Sequence, residues 1–159
     1  MSPTILILIF SALLTACGGG ESTNSMQADT LSPTIAVAAT KSSLIAADTA
    51  SLTFTLSEPS TNFIASDVSV TGGAVSGFTG SGTSYTAIFT PAANSTANGV
   101  VSVANGVFTD AAGNANNDGA DADNKVTFTV DTVIPTIAVT GAKSSLSIGE
   151  TAALTFTLS

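Results

Sequence analysis

The stretch SLTFTLS, residues 51–57, decides the fold, because it returns 102 positions later as ALTFTLS, residues 153–159. In the first copy Leu52, Phe54 and Leu56 alternate with Thr53, Thr55 and Ser57. A period of two puts apolar and polar side chains on opposite faces of a strand, and no helix fits it. Set in register, the match extends back to Asp29 and Asp131, and 19 of 29 aligned positions are identical without a gap. Solenoid repeats have periods of roughly 20 to 50 residues, so a period of this size is a whole domain. The expectation is one complete module over residues 29–131 and the first strands of a second over 132–159, read as a fragment or early-terminated gene of a longer tandem array.

Outward from that stretch, the complete module reads as short strands between turn residues. PTIAV opens it, followed by SLTFTLS, DVSVTGG, SYTAIFTP, GVVSVANG, GVFTD and KVTFTVD, about seven strands in all. Candidate inward residues are Val68, Val70, Tyr85, Phe89, Val101, Val103, Phe108, Val126, Phe128 and Val130. Glu58-Pro59, Gly72-Gly73, Gly80 to Gly82, Asn98-Gly99 and Asn105-Gly106 mark the expected turns, each supplying a preset φ or tolerance of positive φ. This number and spacing predict an all-β, immunoglobulin-like β-sandwich, although the Cys and Trp of antibody domains are absent.

Composition narrows function. Eleven acids face three lysines, with no histidine and a net charge of −8. An acidic surface of this kind repels phosphate backbones, which argues against nucleic acid as a partner. The lack of His and Arg removes the usual general base, imidazole ligand and oxyanion clamp, so the chain reads as a non-enzyme, with an all-carboxylate site as the one remaining chemistry.

At the N-terminus, the apolar run ILILIFSALL from Ile5 is shorter than the roughly 20 residues a membrane-spanning helix needs, and suits a signal peptide over residues 1–16. The chain's one cysteine, Cys17, follows it and has no disulfide partner. Leu14, Thr15, Ala16 and Cys17 resemble a bacterial lipobox, which implies cleavage before Cys17 and its lipidation. The segment MSPT ahead of the run departs from that pattern in carrying no Lys or Arg. Two or more acyl chains at about 0.8 kcal/mol per buried methylene would give a durable membrane anchor. Residues 17–28 would form a Gly/Ser-rich tether, a flexible coil of roughly 20 Å. Gly18 in place of Asp resembles the outer-membrane sorting pattern.

DTVIPTIAV at the module border, LTFTLSEP, FIASDVSVTGG and GVFTDAAGN are similar to the bacterial Ig-like domains found in tandem on large surface proteins and adhesins. Val133 and Ile134 depart from the small residues usual at that border, and suit a stiffened or buried hinge. The resemblance implies a non-catalytic stalk, adhesive or recognition module, with a surface protein or glycan as ligand and attachment to the envelope through Cys17. The alternative is a set of spacers in a larger secreted enzyme or carbohydrate-binding protein. Related domains place calcium at module junctions, which implies Asp110 and Asp131 as metal ligands. Calcium takes six to eight oxygens, and clustered carboxylates are suited to it.

Other candidates carry plainer readings. Asp118, Asp121 and Asp123 in NANNDGADADN read as a solvated, disordered loop. Asp29 repeats Asp131 and reads as a turn cap. Tyr85 reads as a core or corner tyrosine. Glu58 and Asp67, although two carboxylates, read as structural. Asn94-Ser95-Thr96 matches the glycosylation pattern incidentally. The 132–159 segment, short of partner strands, is expected to be disordered, loosely docked or prone to aggregate.

Overall fold

The computed structural model describes residues 28–159. The leader, Cys17 and the tether up to residue 27 lie outside them. Seven strands build the first module: β1 (Ile35–Ala39), β2 (Ser43–Ile45), β3 (Ala50–Ser60), β4 (Val68–Thr71), β5 (Gly73–Pro91), β6 (Gly99–Val103) and β7 (Lys125–Asp131). They form two sheets, ordered β1-β3-β5 and β2-β7-β6-β4, with β2 parallel to β7 and every other pairing antiparallel. This is the all-β, immunoglobulin-like sandwich that the strand pattern predicts.

Alternation does the sorting. Along β3, Ala50, Leu52, Phe54 and Leu56 are buried and the residues between them are exposed. Ile35 and Val37 of β1 join them opposite Leu56 and Phe54, and Val101, Val103, Phe128 and Val130 line the facing sheet. The aromatics divide between the two ends of the sandwich. Phe54, Phe63, Phe78, Tyr85 and Phe108 pack at one end in edge-to-face, tilted and stacked pairs, with ring centroids 5.1–5.8 Å apart. At the other, Phe89 and Phe128 stack face to face at 4.5 Å. These rings occupy the core in place of a disulfide and its tryptophan. The stack requires a bare backbone beside it, since a Cβ on Gly99 would lie 2.5 Å from the Phe89 ring.

The strand assignments differ from expectation in four places, the first being that Gly80 to Gly82 make no turn and lie inside the 19-residue β5. GVFTD is not a regular strand: Phe108 is buried, but the amides of Val107 and Phe108 donate to the Asn116 side chain at 2.9 and 3.3 Å, and Thr109 donates to Asn62 at 2.9 Å. Side-chain amides thus stand in for ladder partners, a substitution that alternation cannot reveal. The short β2 is the strand that sequence reading omits, because only Leu44 of its three residues is buried. Glu58-Pro59 makes no turn, and β3 instead runs to Ser60 with a register shift against β5 between Thr55 and Ser60.

Beyond the first module, β8 (Ile137–Gly141) and β9 (Leu154–Leu158) pair antiparallel, repeating the β1–β3 register residue for residue with the same offset. Of the three expected outcomes, disorder is not what the structure shows: the segment forms a regular ribbon, whose ladder and end contacts are local. Lys143 bonds Glu150 at 3.1 Å as Lys41 bonds Asp48 at 2.8 Å, and Ser159 donates to Thr136 as Ser57 does to Thr34. The difference is cover: Phe54 is 0% exposed and Phe156 is 58% exposed. Val133 and Ile134 are also exposed, so the border is not closed by burying them. Thr132 is the buried residue there, its hydroxyl donating to the Ala92 carbonyl at 2.6 Å and accepting from the Ser95 amide at 3.0 Å.

Replacing a buried aromatic by Ala removes its transfer energy and leaves a cavity, at a cost of about 3–5 kcal/mol. Phe54→Ala is therefore expected to lower unfolding free energy by about that much in urea titrations. Phe156→Ala, at an exposed position, is expected to change it by no more than about 0.5 kcal/mol. Equal losses in the two variants would contradict the assignment of cover.

Candidate functional site: a carboxylate cluster at the entry end of the sandwich

Three acids from distant parts of the chain converge where the chain enters the module. Asp29 lies on the extended lead-in to β1, Glu58 near the end of β3, and Asp110 on the loop after Phe108, which bridges Ser60. One carboxylate oxygen from each lies within 4.8 Å of the other two. Asp29 is exposed, Glu58 half-buried and Asp110 buried.

Local chemistry fixes each one. Asp29 caps a turn, accepting from the Leu31 amide at 3.0 Å, and its carbonyl accepts from the Asn114 side chain at 3.2 Å. Asp110 starts the tight turn DAAGN. Its carboxylate accepts from the Asn114 amide at 2.9 Å and the Asn114 side chain at 2.8 Å. Tyr85, buried as expected, donates its hydroxyl to the Ser60 carbonyl at 2.8 Å, tying the edge strand β5 to the backbone opposite Asp110. Glu58 has no such support: its Oε1 is buried and has no hydrogen-bond partner among the described residues.

The electrostatics follow. Burial, and after it the charges of Asp29 and Asp110, push the Glu58 carboxyl above the ordinary glutamate range. Burial acts on Asp110 in the same sense, but the bonds from the Asn114 side chain and from the amides of Asn114, Gly113 and Ala112 outweigh it and hold that carboxyl below its ordinary value. A charge-carrying Glu58 at this spot is costly unless a proton or a cation neutralises it. The oxygens are hard ligands, and among the described residues no His or Cys joins them, which suits calcium or magnesium over transition metals. The orphaned Glu58 oxygen is the observation that fits a cation to this cluster.

The sequence-derived candidates are redistributed. Asp110 is part of the cluster, but Asp131 is not brought to it. Asp131 ends β7 opposite Ile45, and Thr132 next to it shares a depression with Ala46 to Thr49, just before β3 begins. Asp110 sits beside Ser60, where β3 ends. The length of the sandwich separates the two aspartates. Asp131 instead caps its own turn, accepting from Val133 at 3.3 Å, as Asp29 does one module earlier. Asp118 corrects the solvated-loop reading: it is buried, accepts from the Ile35 amide, and its carbonyl accepts from the buried Asn124 side chain at 2.7 Å. Asp121 and Asp123 are exposed, as expected. Asp67 accepts from the Ile64 amide at 2.8 Å and forms no pair with Glu58. Ser95 of the glycosylation-like triplet has a structural role in holding Thr132.

The pH signs are opposite for the two perturbed acids. A raised Glu58 value means that its contribution to stability is complete below the ordinary glutamate range and is lost as pH rises through the raised value. A lowered Asp110 value means a contribution present above the ordinary aspartate range and lost as pH falls through the lowered one. In chelator, thermal midpoints of Glu58→Gln are expected to exceed wild type at neutral pH and to lose the decline on the alkaline side of the glutamate range. Asp110→Asn is expected to fall below wild type at neutral pH. A Glu58→Gln profile that tracks wild type at every pH would contradict the assignment.

Against known proteins, residues 29–130 match the family described as the bacterial Ig-like domain. Neither the curated proteins nor the solved structures contain a match to the chain. Domains of this family are generally non-catalytic surface or spacer modules of the cell envelope or extracellular space. No helix among the described residues is long and apolar enough to cross a membrane, which leaves strand-built spans unaddressed. With the match covering most of the chain and the sandwich built as the family requires, this protein belongs to the bacterial Ig-like domain family.

Proposed function

We propose that this chain is a non-catalytic envelope protein, attached to the outer membrane through a lipidated Cys17, in which the Ig-like sandwich acts as a stalk or as an adhesive or recognition module for a surface protein or glycan. Calcium bound by Asp29, Glu58 and Asp110 stiffens the module's entry. The observation that carries the calcium reading is a buried, unpartnered oxygen on Glu58, whose carboxylate lies against two further carboxylates. Cys17 carries the anchoring reading, as a lone thiol directly after an apolar leader.

The consequence of binding is mechanical. Asp29 belongs to the segment by which the chain enters the module, whereas Glu58 and Asp110 belong to the body. A cation shared among them would clamp the first to the second, so that a lead-in held through Asn114 and the Asp118 staple gains a third fastening. The Glu58 carboxylate, destabilising when bare, becomes a ligand. This is the chemistry calcium supplies when bound: neutralisation of clustered oxygens without a change in fold. Asp131, as the copy of Asp29, would serve a following module's cluster rather than this one.

A ligand that binds only the folded state at 100 times its Kd stabilises by about 2.7 kcal/mol. Thermal unfolding of the processed protein is expected to shift upward in calcium relative to chelator. The shift is expected to vanish in Asp29→Asn, Glu58→Gln and Asp110→Asn and to persist in Asp131→Asn. An identical midpoint in calcium and chelator removes the metal from the proposal. In cells, Cys17→Ser is expected to abolish lipid labelling and release the protein from the membrane fraction, and unchanged membrane retention would remove the anchor.

A further inference from the structure

The β8–β9 ribbon presents an apolar face that nothing among the described residues covers, and the first module shows what that face is shaped to meet. Between residues 29 and 57, eight positions are buried, and all eight carry the same residue 102 positions later, including Ile35 and Ile137, Leu52 and Leu154, and Phe54 and Phe156. The ten differences between the copies all fall at exposed or half-buried positions, such as Ile45 against Ser147. The two ribbons also share one strand register. At the bend between their strands the second copy is the better suited: Ala47 adopts φ 68, where an L side chain is strained, and its counterpart is Gly149 at φ 86. Side-chain volumes that match position for position present the same surface to a facing layer, since cores tolerate little change of shape.

We propose that the apolar face of the 131–159 ribbon is a docking surface for residues 58–131 of a second copy of this chain, entered in place of that copy's own 29–57 ribbon. The exchange is intermolecular by geometry. A ribbon seated in that place starts beside Glu58, whereas residue 131 ends β7 at the far end of the sandwich, a separation spanned by the 11 residues of β3, or about 35 Å. Two chains that exchange reciprocally close into a two-fold dimer with no leftover recipient. In the intact chain the exchange covers one ribbon and uncovers an equivalent one, so apolar burial is unchanged and the tethered ribbon keeps its place. The second ribbon takes over wherever a chain's first ribbon is missing, damaged or displaced. The recognition chemistry is that of strand addition, with backbone ladders from the edge of β5 and pockets for alternate apolar side chains.

The test uses the full chain with its own first ribbon disabled. In a Leu52→Asp/Phe54→Asp chain, two carboxylates at core positions cannot be buried. This variant is expected to sediment as a dimer with a cooperative, concentration-dependent melt and a β-sheet far-ultraviolet spectrum. Adding Phe156→Asp is expected to leave an unfolded monomer, and Phe156→Asp alone a folded monomer with the wild-type melt. Three outcomes overturn the proposal: an unfolded monomer in the first variant, a folded monomer in the first variant, or association that survives the added Phe156→Asp.

Discussion

The burial of one face of the β1–β3 ribbon is the constraint on which the rest of this structure depends. Ile35, Val37, Leu52, Phe54 and Leu56 lie on one side of two paired strands, and the sheet containing β6 and β7 lies over them. Fully covering an aliphatic or aromatic side chain of this size is worth about 1.5–3 kcal/mol, against about 0.5–1.5 kcal/mol net for a neutral hydrogen bond of the ladder. The molecule carries its own control. The β8–β9 ribbon has the same register, matching ion pair and matching end bonds, and its apolar side chains are exposed. Local pairing therefore shapes the ribbon, and facing the second sheet is what makes it a core.

Where the alternation stops, polar side chains take over the work of the ladder. Asn62 and Asn116 supply acceptors to the backbone around Phe108, and Asn116 also donates to the Ala104 carbonyl at 2.8 Å. Asp118 reaches across to the first residue of β1. Buried backbone groups must be paired, and these short amide and carboxylate side chains pair them while leaving the chain free to turn. The same economy places Asp110: its turn is closed by Asn114, and the bonds that close it also keep the carboxylate charged. A charged Asp110 next to Glu58 concentrates negative charge at the entry end.

Much of the fold was legible in the sequence, because a period of two and a long repeat both leave local marks. SLTFTLS and KVTFTVD announce β3 and β7, the repeat announces the domain size, and FTDAAGN with the border DTxxP pattern announces the family. GVFTD reads as a strand because burial of Phe108 looks the same in sequence whether ladder bonds or asparagine side chains hold its backbone. The acidic site was half legible. Asp110 is marked by its turn, but Glu58 and Asp29 meet it only through long-range pairing, and Glu58 follows what reads as an ordinary strand end. Asp131 shows the same limit: it lies close to Asp110 along the chain, yet β7 carries it to the opposite end. Asp118 sits in a run of Asn, Asp and Gly whose composition signals solvent exposure, and only the fold shows that Ile35 needs its carboxylate.

Hydrogen exchange in dilute protein separates pairing from cover most directly, since amide protection follows the free energy of opening and not the presence of a bond. The amides of β3 between Leu52 and Leu56 are expected to be among the slowest in the chain, opening only with global unfolding. Those of β9 between Leu154 and Leu158, bonded in the same register, are expected to exchange orders of magnitude faster. Equal protection of the two strands would show that the ribbon is stable by itself, and would contradict the account.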